Sequence, residues 1–342
     1  MKILIIGGTR FMGPHVVRSL ASAGHEVAVF HRGETPAELP GNVTEILGDR
    51  NNLRDFAGPI RAFAPEIVLD MMLLNELQAK ELVEVTAGVA RRLVVAGSCD
   101  VYLRYDLLRG VESGAPDSAR VTEESELRRR LYPYRSEVAD EKDLLYNYDK
   151  IPVERAVMSQ ERIEGTVLRL PVVYGPGDYR HRFYSYLRRM SDNRPAILIG
   201  ASQAALKITR GYSENCAAAI ALAVMNEKSA GRIYNVGELQ PLPEREWIGR
   251  LAGITGWTGN IIELPEEDLP KHLHTDMQCR HHLDIDTSRL REELGFAEPV
   301  DSDEALRRTT GWELANPPEK DDFETEYAAE DVIIAAAGAD RE

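Results

Sequence analysis

The sequence predicts a doubly wound α/β fold: a parallel sheet with helices on both faces, followed by a smaller C-terminal α/β region. Three observations predict it. Short β-branched runs alternate with amphipathic stretches through the first half of the chain, and this alternation makes parallel strands with covered faces. The glycine-rich "IIGGTRFMG" joins the first strand to the first helix. A serine closes the fifth apolar run, at the carboxyl edge of the sheet where such folds place ligands.

The elements follow in order. "KILIIG" is a buried strand, and "PHVVRSLASAGH" is a helix ending near Gly24. Further strands are "EVAVF" (26–30), "EIVLD" (66–70) and "RLVVAG" (92–97), with helical periodicity in "LQAKELVEVTAGVARR" between the last two. The stretch from Tyr102 to about Ala139 is charged, arginine-rich and without a clear apolar period; a connection of that length carries function or moves. After Gly175 short helices and strands mix. These patterns divide the chain into a dinucleotide-binding Rossmann domain at 1–174, to which a segment near 205–237 returns, and a mainly substrate-binding domain at 175–316. An acidic tail at 317–342 is expected to be peripheral, with one docked helix at most.

Composition narrows the classes of function. The 342 residues are 43% hydrophobic and 28% charged, enough apolar material for a sizeable core. A net charge of -15 opposes binding to nucleic-acid backbones or anionic membranes. Cys99, Cys216 and Cys279 have no paired spacing, which suits a reducing cytoplasm. The opening apolar run is too short for a signal or a span.

In the glycine turn, Gly7 and Gly13 fit the outer positions of G-x-x-G-x-x-G, with Arg10 replacing the middle glycine. Such a turn brings the backbone of Thr9, Arg10, Phe11 and Met12 against a pyrophosphate at a helix N-terminus. An NAD site ends its second strand with an acid for the ribose 2′-OH, whereas arginine suits a 2′-phosphate. Here His31 and Arg32 stand in that place. Together with Arg10 they favour NADP(H) over NAD(H). Asp49, with Arg50 beside it, is placed to meet the adenine, or else Asp49 caps the following helix.

"LLYNYDKIPVE" offers two tyrosines to Lys150. Residues four apart share a helix face and residues two apart do not. A helix through this stretch therefore pairs Tyr146 with Lys150, turns Tyr148 into packing, and bends at Pro152. A phenol has a pKa of about 10 and needs a neighbouring cation to exchange protons near neutrality. Lys150 supplies that charge and also grips the nicotinamide ribose. Ser98 completes the set by holding the substrate oxygen.

The stretches "GGTRFMG", "GSCDVY", "YNYDKIPVE", "LRLPVVYGPGD" and "LDIDTSRLREELGF", spread over Met1 to Trp312, resemble the extended short-chain dehydrogenase/reductase (NAD-dependent epimerase/dehydratase) family. They look most like its atypical branch that includes chloroplast stem-loop RNA-binding proteins. The resemblance implies an NAD(P)-dependent oxidoreductase or epimerase working by hydride transfer, with a Ser98–Tyr146–Lys150 triad, a nicotinamide cofactor with Pro171 to Val173 near its carboxamide and the bulky Met71 on its wall where small residues are usual, a sugar-like substrate and a homodimer. It also brings a rival reading, a non-catalytic nucleotide-binding protein acting on RNA or a regulatory partner. Departures are visible. Cys99 and Asp100 stand where dehydratases carry an Asp-Glu pair, and Val172 stands where many epimerases carry asparagine. Ser98 and Tyr146 lie 48 positions apart, longer than the family spacing, so the arginine-rich segment is placed to fold over the site.

Two other stretches gather chemistry-bearing side chains. "KHLHTDMQCRHH" gathers His272, His274, Cys279, His281 and His282 at no familiar zinc spacing, and no metal is assigned. "DYRHRFYSYLRRM" interleaves Arg180, Arg182, Arg188 and Arg189 with aromatics, a phosphate-binding pattern or the solvated side of an amphipathic helix.

Overall fold

Successive side chains of a strand point to opposite faces, so a strand covered on both sides must be apolar throughout. The computed structural model, which describes residues 1–319 and 323–339, follows that logic. Its strands are β1 (Lys2–Ile6), β2 (Glu26–His31), β3 (Thr44–Leu47), β4 (Ile67–Asp70), β5 (Arg92–Ser98) and β6 (Glu164–Leu170). They continue with β7 (Val172–Tyr174), β8 (Ala196–Gly200), β9 (Arg210–Tyr212), β10 (Arg232–Asn235) and β11 (Asn260–Leu264). Helices α1 (Gly13–Ser22), α2 (Ala57–Phe63), α3 (Glu76–Thr86), α4 (Leu103–Leu108) and α5 (Lys150–Met158) occupy the first half. Then come α6 (Tyr184–Ser191), α7 (Ala201–Ala204), α8 (Ser213–Met225), α9 (Glu244–Thr255), α10 (Ser288–Leu294), α11 (Ser302–Ala315) and α12 (Phe323–Ala339).

Seven strands form one parallel sheet in the order β10-β6-β5-β4-β1-β2-β3. Ile3 and Ile5 of β1 face a layer that includes Val16 and Leu20 of α1 and Ile220 and Val224 of α8. Leu4 and Ile6 face the other layer, with Ile60, Leu82 and Val153 from α2, α3 and α5. Each such side chain contributes about 1.5–3 kcal/mol on full burial. The order reverses between β1 and β4, and the crevice at their carboxyl ends is where such sheets bind ligands.

The second half builds its own core around Tyr174, Phe183, Ile197, Trp247 and Leu306, with β8 paired to β11 and β7 to β9. The arginine-rich segment has more order than its pattern predicts. It contains α4, and its Tyr102, Leu108 and Val121 pack with Ile151 of α5 and with Leu283 and Ile285. Within the tail, α12 docks by charge. Buried Glu330 and half-buried Glu326 pair with Arg189, and Asp331 pairs with Arg194. Residues 320–322 and 340–342 of that tail lie outside the described residues. Among the described residues no helix is long and apolar enough to cross a membrane.

Candidate active site

The glycine turn is shaped to receive an anion. Gly7 sits at φ 89°, a left-handed conformation that costs glycine little. A Cβ on Gly13 would lie 2.4 Å from the carbonyl carbon of Gly8, so only glycine lets the helix pack against the turn. Helix α1 begins without a side-chain cap and with no acid in its first turn. Among the described residues nothing accepts from the backbone N–H groups of Thr9, Arg10, Phe11 and Met12. Four open donors at a positive helix end are what a pyrophosphate requires.

The loop after β2 and the glycine turn carry cations with replaceable partners. Arg10 donates from Nε to Thr35 Oγ1 at 2.7 Å, and Arg32 pairs with Glu34 at 2.9 Å. An exposed pair of that kind is worth 1 kcal/mol or less, roughly, so a phosphate can replace the glutamate. His31 is engaged by Glu45 at 2.8 Å and receives the Gly33 N–H. Asp49 takes the capping role, accepting the Asn51 N–H at 2.9 Å. Arg50 turns inward, pairing with Asp70 at 2.9 Å and donating to the Gln78 carbonyl, which leaves it a structural tie between β4 and α3. Met71 and Met72 follow β4. Met72, 48% exposed, presses its Cγ to within 2.8 Å of where a Gly7 Cβ would stand.

The tyrosines are arranged differently from the helical expectation. Helix α5 starts at Lys150, with Asp149 as N-cap accepting the Ile151 N–H. Pro152 therefore lies in the first turn, where its missing N–H breaks no helical bond and no bend results. Tyr146 lies outside the helix, and its hydroxyl donates to Glu141 at 3.0 Å on the surface. That bond holds its phenol above the ordinary value. Tyr148 takes the inner position instead. Its hydroxyl donates to Asp100 Oδ2 at 2.7 Å, and its ring lies 5.8 Å from the Lys150 ammonium. Burial first, then the Asp100 carboxyl, pushes this phenol well up, while Ser98 beside it favours the ionised form. Ser98, at the end of β5, accepts the Asp100 N–H at 3.2 Å. Lys150 is buried and donates to the carbonyls of Leu73 (2.6 Å) and Ala96 (2.9 Å). Desolvation lowers its pKa. The structure thus gathers Ser98, Tyr148, Lys150 and Asp100, and leaves Tyr146 apart. The signal missed was "DKIP": an N-cap aspartate followed by a first-turn proline marks a helix start at Lys150.

The 103–149 segment supplies the walls. The Tyr134 ring packs 5.4 Å from that of Tyr148 at a tilt of 54° and its hydroxyl shares a 3.0 Å contact with Tyr105. Arg109 covers the Tyr134 ring at 4.8 Å. Arg128 is fully buried. It donates to the carbonyls of Asp100 and Arg130 and pairs with Asp149 at 3.0 Å, while the Tyr132 N–H reaches the other Asp149 oxygen at 2.7 Å. One carboxylate therefore ties the segment to the start of α5.

Other expectations resolve as follows. Pro171 packs against Gly211 and Gly237, and the Val173 carbonyl accepts from Arg182 at 3.0 Å. Arg182, Arg188 and Arg189 each face acids (Asp178, Asp192, and Glu326 with Glu330), while Arg180 lies over Tyr179. The histidine stretch does not converge. His272 meets Glu330, His274 meets the Leu269 carbonyl, and His282 accepts the Lys207 N–H. Among the described residues His272, Glu326 and Glu330 do form a cluster of metal-ligand types, and Arg189 already pairs with both acids. A surface cleft of about 700 Å³ is lined by Arg245, Glu246, Arg250 and Glu263; none of the site residues above reaches it.

Comparison with known proteins points to one family. The model described as "NAD dependent epimerase/dehydratase family" matches residues 3–237. A 2′-dehydrokanamycin reductase of Streptomyces kanamyceticus is 26% identical over 78% of this chain and 70% of its own length. The chloroplast stem-loop binding protein of 41 kDa b of Arabidopsis thaliana is 25% identical over 69% of this chain and 58% of its own length. A dTDP-glucose 4,6-dehydratase of Bacillus anthracis, solved with NAD, superposes with TM-score 0.68 at 15% identity, covering 93% of this chain and 97% of that one.

Proposed function

Because this chain belongs to the NAD dependent epimerase/dehydratase family, we propose that it is an NAD(P)-dependent oxidoreductase that reduces a sugar or nucleotide-sugar-like ketone, with NADP(H) favoured over NAD(H). The nicotinamide, when bound, supplies the hydride. The open N–H groups of Thr9 to Met12 hold the pyrophosphate, and Arg10 and Arg32 take the 2′-phosphate. Tyr148, in place of Tyr146, gives the proton to the substrate oxygen, and Ser98 orients that oxygen. Lys150 fixes the inner wall through the Leu73 and Ala96 carbonyls and would be the residue to hold the nicotinamide ribose.

The observation that carries this reading is the meeting of Ser98, Tyr148 and Lys150 at the β5 edge, beside a turn with four open donors. Burial holds this phenol protonated, the form from which a reductive step starts, while Ser98 opposes the rise. The substrate class rests on relatives named a 2′-dehydrokanamycin reductase and a dTDP-glucose 4,6-dehydratase. Cytoplasmic residence fits three buried, unpaired thiols. A homodimer through α3 and α5 would cover Leu77, 63% exposed on α3. The acid-paired arginines of the 180–189 stretch speak against the RNA-binding alternative.

The test is a panel of keto-sugars and keto-sugar nucleotides with NADPH, followed by the loss of nicotinamide absorbance. Turnover with at least one, reduced roughly 100-fold or more in Tyr148→Phe, is expected. Failure to bind NADPH and NADH, or full activity of Tyr148→Phe, overturns the reading.

A further inference from the structure

Asp100 is a buried carboxyl that the triad logic leaves without a task. It is 5% exposed, its Oδ2 faces the Tyr148 hydroxyl at 2.7 Å, and its Oδ1 is buried with no hydrogen-bond partner among the described residues. The two nearest cations are committed elsewhere. Arg128 bonds the backbone carbonyl of Asp100 and the carboxylate of Asp149, and Lys150 bonds the Leu73 and Ala96 carbonyls. An ionised carboxylate held by one phenol in such a place is expensive; protonation removes the cost.

We propose that Asp100 is the proton store behind Tyr148, its carboxyl holding a proton in the resting protein and passing it to the phenol oxygen as the phenol gives its own to the substrate. The inference rests on the reductase reading above. A neutral carboxyl reverses the bond between the two groups. Asp100 then donates to the phenol oxygen, and the phenol hydrogen is released to point toward Ser98 and the substrate. In the reducing direction the carbonyl carbon would take the hydride that a bound nicotinamide supplies, the π pair moves to the carbonyl oxygen, and that oxygen forms a new O–H bond with the Tyr148 proton. The phenol oxygen is reprotonated as the Asp100 O–H bond breaks. The carboxylate so formed lies within the fields of Arg128 and Lys150 without bonding either, a short-lived state that ends when it regains one proton from solvent before the next cycle.

Burial, more than the surrounding charges, favours a neutral resting carboxyl. Burial raises Asp100, Asp149 adds to that, and Tyr148, Arg128 and Lys150 oppose it. Asp106 and Glu154, also raised first by burial, feel the same field, as do Cys99, Tyr105 and Tyr134.

Infrared difference spectroscopy on the full chain at neutral pH reads the proton directly. The wild type minus Asp100→Asn spectrum is expected to show a protonated carboxyl stretch, and Tyr148→Phe to keep that band but move it to higher frequency as its hydrogen bond is lost. Tyr148→Phe also serves alone where Asp100→Asn does not fold. No Asp100-dependent band, or no movement of any carboxyl band in Tyr148→Phe, overturns the proposal. Tyr148-dependent turnover without the band sinks the relay and spares the reductase reading. Turnover independent of Tyr148 sinks both.

Discussion

The hydroxyl of Tyr148 lies 2.7 Å from Asp100, while that of Tyr146, four residues before Lys150, is spent on surface Glu141. Tyrosine order in the sequence and tyrosine order in the site are therefore opposite. The two phenylalanine variants should separate them. Tyr148→Phe is expected to lower kcat about 100-fold or more with cofactor Kd unchanged, and Tyr146→Phe to stay within about 3-fold of wild type. Steady-state kinetics and fluorescence titration with NADPH check both.

Cofactor choice should depend on the two arginines at the ribose end. A charge-assisted hydrogen bond to phosphate is worth about 1.5–3 kcal/mol. Arg10→Ala and Arg32→Ala are each expected to weaken NADPH binding roughly 10-fold or more and NADH binding little. Equal losses for both cofactors in calorimetric titrations would remove the 2′-phosphate assignment.

Arg128→Ala strands the buried Asp149 carboxylate. Breaking such a pair costs about 3–5 kcal/mol. Denaturant unfolding should show a loss of that order, largely restored when Asp149→Asn is added, because the second change removes the uncompensated charge. An additive double mutant would count against a direct pairing.

Glu238 gives a pH signature. Burial pushes its carboxyl up to about 7, against the hydrogen bond from Tyr174 that pulls it down. The folded protein then holds this proton more tightly than the unfolded chain does. Its contribution to stability is full below the unfolded pKa of about 4.5 and is lost as pH rises through about 7. Glu238→Gln should flatten that decline, and be relatively stabilising at pH 8 by up to about 3 kcal/mol. Melting curves from pH 4 to 8 would decide it.

Much of the architecture was legible because its signals are local. Alternation of "KILIIG", "EVAVF" and "RLVVAG" with amphipathic stretches needs only neighbouring residues to interpret, and the glycine turn reads by position. Gly13 is dictated by a close backbone approach, and Ser98 by the end of β5. The tyrosine assignment depended on where one helix begins. Tyr146 and Lys150 share a face only if that helix includes both, and the Asp149 cap starts it at Lys150. The role of Arg128 was out of reach, since its partner lies 21 residues away and only tertiary packing brings it there. Arg50 followed the same rule: Asp70 claims it across the fold.

The placement of β10 against β6 also bears on how the gene can be handled. A fragment stopping at Gly175 would end with the ladder groups of β6 bare, an invitation to edge-to-edge aggregation. It would also lack Asn235, whose side chain receives the Tyr102 hydroxyl at 2.7 Å and donates to the Val121 and Asp286 carbonyls. Neither half would be a useful truncation on its own, whereas co-expressing the two pieces offers a split protein whose reassembly is reported by the soluble yield.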